Sequence, residues 1–157
     1  MARDKLIALA KKTAALNDLD GPLVCAVCEQ ESGWNTFAIR YERGFYVRYI
    51  EGNTSLGNLA PTEMMARAFS WGLMQVMGQV ARESGFDGMF LSSLCDPNLG
   101  IDVGCKVLKH KLATAGGDVE KGLLAWNGGA NPSYPAQVLA RQKFYEQPAM
   151  GVEESTT

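Results

Sequence analysis

Glu31 ends an otherwise apolar stretch, "GPLVCAVCEQES". Leu23, Val27 and Glu31 are spaced by four, so on a helix the acid continues the apolar stripe. Glu29 lies two residues earlier, about 200° away around the axis, and is expected to face solvent. Burial and the negative end of the helix dipole both disfavour charge on Glu31. A raised pKa follows, which a general acid needs near neutral pH. The bland alternative is a half-exposed structural acid at a helix end. Gln75 stands inside "GLMQVM", where apolar neighbours oblige an amide to find partners. Trp126 and Asn127 end "GLLAWN", and Gly128 and Gly129 follow, letting backbone approach a ligand closely. Aromatic rings beside short amides suit sugars, whose faces are apolar and whose edges carry hydroxyls. Each mark also has a structural meaning: a satisfied core amide, a packed indole, a helix stop.

The chain that must position these groups has 157 residues, enough for one domain with a real core. Its formal net charge of −2 and pI near 5.4 argue against nucleic acid as a partner, which would need clustered Lys and Arg. The basic residues Arg3, Lys5, Lys11 and Lys12 read as the solvated side of an amphipathic helix. No apolar run is long enough to span a bilayer. Asp4 and the lysines interrupt the N-terminal apolar residues, so no signal peptide is expected and export would need a separate route. Cys25 and Cys28 fall inside a helical apolar pattern without a zinc-knuckle turn, and Cys95 and Cys105 are ten residues apart. Buried free thiols are favoured over a disulfide or a metal site. The single histidine, His110, reads as an exposed helix residue, and neither metal nor organic cofactor is expected.

The apolar spacing is helical nearly throughout, so a mainly α fold is expected. A first helix presents Leu6, Leu9, Ala10, Thr13 and Leu16 on one face. Asp20 with Pro22 opens a second helix, which Gly33 stops near Ser32. Residues 38–50, "AIRYERGFYVRYI", are aromatic and β-branched around Arg43-Gly44, predicting a small hairpin beside the cleft, with a helical turn as the alternative. "PTEMMARAF" and "GLMQVMGQVARES" read as two helices, the second with Leu73, Val76, Met77 and Val80 on one face. Asp96-Pro97 opens a long helix ending at Gly116-Gly117, and Asp118 caps a shorter one through "VEKGLLAWN". A last helix covers about Tyr134 to Gln147. The single domain is placed at 1–147, with 148–157 a disordered tail.

In order along the chain, "ESGWN" (31–35), "GLMQ" (72–75), "AWNGG" (125–129) and Tyr134 in "YPAQVL" resemble the lytic transglycosylases of the soluble SLT type, within the lysozyme-like superfamily. "LCDPNLGIDVGCKVL" is similar to a helix of that family, and the resemblance covers about residues 20–146. It implies a lysozyme-like α domain and a peptidoglycan substrate. By position, Glu31 would be the catalytic acid and base at the bond between N-acetylmuramic acid and N-acetylglucosamine, forming a 1,6-anhydro ring. Ser70, Met74, Gln75, Trp126, Asn127 and Gly128 would line the groove, and Tyr134 would hydrogen-bond near Glu31 or the acetamido group. The partners implied are peptidoglycan glycan strands or N-acetylglucosamine oligomers, met by a monomer.

Three features depart from the family pattern. Trp126 replaces a tyrosine, and the segment between the first two motifs is longer than usual. Within that segment, "IRYERGFYVRYI" resembles phage-type N-acetylmuramidases and brings in Glu42 as a second carboxylate. Across a cleft from Glu31, Glu42 could activate water for hydrolysis, where a spacing of about 6.5–9.5 Å suits inversion. Its bland alternative is an ion pair with Arg40, Arg43 or Arg48. A binding module or structural virion component with a decayed site is the non-enzymatic alternative. The features fit a phage endolysin or virion-associated enzyme, with dedicated export competing.

Overall fold

Three aspartates start three helices, as their spacing predicts. Asp20 accepts the Leu23 N–H and opens α2 (Gly21–Ser32). Asp96 accepts from Asn98 and Leu99 and opens α6 (Pro97–Thr114). Asp118 accepts from Lys121 and opens α7 (Val119–Trp126). Each cap satisfies a backbone donor that the helix itself cannot, worth about 1 kcal/mol. The computed structural model describes residues 1–146. It adds α1 (Arg3–Leu16), β1 (Ile39–Tyr41), α3 (Arg43–Phe45), α4 (Pro61–Arg67), β2 (Phe69–Trp71), β3 (Val76–Met77), α5 (Gly78–Glu83) and α8 (Tyr134–Glu146). The tail expected at 148–157, and Gln147, lie outside the described residues.

The chain is mainly α, with helices carrying the core. α2 packs against α8 and α1, and α6 packs against α1 and α7. Val24, Val27, Ile101, Leu108, Leu123 and Val138 are fully buried between them, each contributing about 1.5–3 kcal/mol by leaving water. The buried stripe of α1 is Leu6, Ala10, Thr13 and Ala14; Leu16, expected on it, is 76% exposed at the helix end. Cys25, Cys28 and Cys105 are buried free thiols, and Cys95 is partly exposed. Burial pushes the Cys25 and Cys105 thiols up to about 12, which makes them poor nucleophiles. His110 is exposed on α6. Among the described residues no helix is long and apolar enough to cross a membrane.

Two elements differ from expectation. The segment 38–50 does not fold back on itself as a hairpin. Only Ile39–Tyr41 is extended, and it pairs antiparallel with β2, Ile39 opposite Trp71 and Tyr41 opposite Phe69. Beyond it the chain is helical, first α3 and then a π-helical turn, Tyr46–Ile50. The helical turn wins because it puts Tyr46 and Ile50 on one side. There they join Leu56, Ala68, Phe45, Leu59 and Met64 in a small second core.

The second difference is "GLMQVMGQVARES", which is helical only over Gly78–Glu83. Its start is the turn of a β2–β3 hairpin, with Ser70 opposite Met77 and Trp71 opposite Val76. The resulting three-stranded sheet has the order β1-β2-β3. Gly72 (φ +67) and Gln75 (φ +48) are left-handed, so no helix can pass through them. The turn drives Leu73 and Met74 into the core, where Met74 lies against Gly104 of α6.

Gly72 is constrained twice, since a Cβ there would also stand 2.2 Å from the Leu94 carbonyl oxygen. Gly72→Ala should therefore cost about 2–4 kcal/mol, combining left-handed strain with overpacking. Gly128 shares a positive φ but has open space around it, so Gly128→Ala should cost only about 1 kcal/mol. Urea unfolding midpoints of the two variants should separate in that order.

Candidate active site

The end of α2 is sharply defined. Gly33 adopts a left-handed conformation (φ +57), and its N–H closes onto the Glu29 carbonyl. Trp34 follows, also left-handed (φ +69), a costly conformation for a bulky residue. It is held there by burial, by an edge-on contact with Tyr145 and by donating its indole N–H to the Tyr145 hydroxyl at 3.0 Å. Tyr145 in turn donates to Glu29 Oε2 at 2.8 Å, and Arg3 donates to Glu29 Oε1 at 2.7 Å. Glu29 is thus not simply solvated, as expected, but ties α2 to α1 and α8. None of these partners adjoins it in sequence, so its spacing alone gave no sign of the network.

Glu31 occupies the last turn of α2. Two donors reach it from the far part of the chain: Tyr134 Oη at 2.5 Å and Trp126 Nε1 at 3.0 Å, both on Oε1. No hydrogen bond from a described residue reaches Oε2, and that oxygen is not a buried orphan, so it opens to solvent. Burial pushes the Glu31 carboxyl above its usual range, against the opposing pull of the Tyr134 and Trp126 donors and of the Arg40 charge. Burial likewise raises the Tyr134 phenol, and the neighbouring carboxylate adds to it, so Tyr134 stays a protonated donor. Trp126 supplies an N–H where the resembling sequences carry a tyrosine hydroxyl.

The remaining predicted residues divide. Asn127 closes α7, and its Oδ1 accepts the Asn131 N–H at 2.8 Å, shaping the loop into α8. Gly128 beside it is exposed, with nothing within 4 Å of a would-be Cβ. Met74 and Ser70 are not groove-lining: they are 0% and 1% exposed. Met74 is drawn into the core by the β2–β3 turn. Ser70 Oγ donates inward to Gln75 Oε1 at 2.8 Å. The Gln75 amide nitrogen is also taken, at 2.8 Å from both the Ala38 and Gly72 carbonyls, so this side chain braces β1 against the turn. Glu42 is ion-paired to Arg40 Nε at 2.5 Å, one of the three arginines offered as partners by the sequence. A concavity of about 580 Å³ is lined by Arg3, Glu29, Arg141, Phe144 and Tyr145. Glu31 is not among its lining residues. Among the described residues no group of three His, Cys, Asp or Glu side chains is placed to hold a metal ion.

The geometry fixes the sign of one titration. Because the Tyr134 hydroxyl favours the charged form of Glu31, Tyr134→Phe should move the Glu31 pKa further upward. The carboxyl carbon shift of Glu31, followed by NMR across pH, measures this directly. A downward move would mean that the Tyr134 hydroxyl does not favour the charged form of Glu31.

No curated protein and no solved structure matches the chain. The family model described as "Transglycosylase SLT domain" matches residues 8–145. That span takes in α2 with Glu31, the sheet, the α7–α8 loop and the two donors that converge on Glu31. The match covers most of the chain's length, and the chain therefore belongs to the transglycosylase SLT domain family of peptidoglycan-cleaving glycosidases.

Proposed function

We propose that this protein is a lytic transglycosylase that cleaves the β-1,4 bond between N-acetylmuramic acid and N-acetylglucosamine, with Glu31 as its single acid and base. The observation that carries this proposal is the asymmetry of Glu31: two donors hold Oε1, and Oε2 is open. An oxygen that accepts two hydrogen bonds is a poor site for the proton, so the acid hydrogen belongs on Oε2.

From Oε2 the proton passes to the glycosidic oxygen as the bond to the muramic C1 breaks. The substrate's own acetamido oxygen stabilises the cationic sugar. The Glu31 carboxylate, now strengthening its bonds from Tyr134 and Trp126, takes the proton of the C6 hydroxyl. O6 closes on C1, Glu31 is protonated again, and no water is consumed. Asn127 and Gly128 line the groove beside Trp126. The hydrolytic alternative needs a second carboxylate to activate water, unlike this single-carboxylate route. Glu42, engaged by Arg40, gives that alternative no supporting observation.

Mass spectrometry of muropeptides released from purified sacculi tests the proposal. Products should be non-reducing 1,6-anhydro species, one water lighter than hydrolysis products, and Glu31→Gln should release none above background. Reducing-end products would overturn the single-carboxylate mechanism. The rate should also fall as pH rises through the Glu31 pKa, since the reacting form is the acid. That limb should lie on the alkaline side of the ordinary carboxylate range, because burial raises the group. Tyr134→Phe should shift it to still higher pH as well as lowering the plateau.

A further inference from the structure

The residue after the α2 stop carries a strain that the helix itself does not need. Gly33 already closes α2, yet Trp34 is left-handed as well (φ +69) and buried. A bulky residue keeps such a conformation only where its surroundings over-determine it. Its one side-chain donor, the indole N–H, reaches Tyr145 Oη at 3.0 Å and no other described residue. That hydroxyl also accepts from Arg3 at 3.3 Å and donates to Glu29 Oε2 at 2.8 Å. One phenol oxygen thus holds the end of α2 from both sides of Glu31, at Glu29 before it and at Trp34 after it.

α8 therefore grips this turn at two points. Tyr134, its first residue, donates to Glu31 at 2.5 Å. Tyr145 lies eleven residues on, about 16 Å farther along the helix axis. A single grip would leave the turn free to pivot about it. Two grips on one rigid helix fix both the position and the orientation of residues 29–34 relative to α8. The acid needs that accuracy, because Oε1 has to meet the Tyr134 and Trp126 donors together while Oε2 stays open. A small rotation of the last turn would part Oε1 from its donors without unfolding the domain.

We propose that Tyr145 is a positioning residue for Glu31: through Trp34 and Glu29 its hydroxyl fixes the last turn of α2, and so aims the acid at its donors and at the glycosidic bond. Tyr145 touches no reacting atom. The inference rests on the glycan-cleaving function proposed above and adds the group that holds the acid in place. Tyr145→Phe keeps the ring and its edge-on contact with Trp34, but removes all three hydrogen bonds and leaves a buried indole N–H unpaired. The last turn then gains freedom, and water reaches Glu31. Burial is the largest influence on that carboxyl and its net displacement is upward, so release returns it downward, towards the ordinary carboxylate value. The sign is opposite to that for Tyr134→Phe, which removes only a lowering donor.

Two measurements on Tyr145→Phe test this. On soluble glycan strands, kcat should fall on the order of ten- to a hundredfold with KM unchanged. The NMR titration of the Glu31 carboxyl carbon should move to lower pH. Ile101→Val, a methyl deletion in the α6 core, controls for lost stability and should leave both readings at wild-type values. A Glu31 titration that stays in place or rises, a loss carried by KM alone, or a kcat no lower than that of Ile101→Val would make Tyr145 purely structural and overturn the proposal. Trp34→Phe removes the donor instead of the hydroxyl and should give the same two changes; it carries the test if Tyr145→Phe does not fold. The titration needs no turnover. A wild type that releases nothing from sacculi would therefore defeat the glycan function, while the positioning of Glu31 is still decided by the titration.

Discussion

The site depends on keeping one carboxyl group mostly out of water while leaving one of its oxygens accessible. A carboxylate desolvated in this way is unfavourable unless donors meet it. The chain answers with two, a phenol from the start of α8 and an indole from the end of α7, both on Oε1. The packing of α8 along α2 and the tight glycine turn after α7 serve that meeting. Burial wins over the donors, since the net shift of Glu31 is upward. The donors limit the shift, so the acid can give up its proton as well as hold it.

A second constraint acts from the sheet. The side chain of Gln75 reads, in sequence, like a polar group offered to a ligand. Both of its N–H donors are instead spent on Ala38 and Gly72, and its oxygen accepts from Ser70. What it determines is where β1 lies, and hence where Arg40 sits. The segment after β1 has its own small core of Ile50, Leu56 and Ala68, and its Tyr46 meets Tyr41 of β1, which in turn meets Phe69 of β2, through tilted ring contacts. It is an ordered lobe.

Much of this was legible in the sequence where the signal is local. Asp20, Asp96 and Asp118 declared their helices because a cap needs only the next three residues. Glu31, Trp126 and Tyr134 were singled out by stripe, helix end and family pattern, and the fold brings them within hydrogen-bonding distance. What misled were segments whose conformation is set from a distance. "GLMQVM" has helical apolar spacing, but its turn is forced by contact with Leu94 and by two left-handed residues, one of them a glutamine. Residues 38–50 have β-forming composition, yet the ring-burying demand of a side cluster makes most of them helical. Glu29 likewise owes its place to Arg3 and Tyr145, 26 and 116 residues away.

The donors to Glu31 lie 95 and 103 residues downstream of it. During synthesis, at about 5–20 residues per second, α2 leaves the ribosome some seconds before Trp126 and Tyr134 exist. Over that interval Glu31 is an ordinary solvated acid with neither its burial nor its hydrogen bonds. The surroundings of Glu31 are therefore completed late in synthesis, when α7 and α8 dock. A truncated or nicked chain lacking those helices would keep the acidic residue and lose both of the donors that meet it.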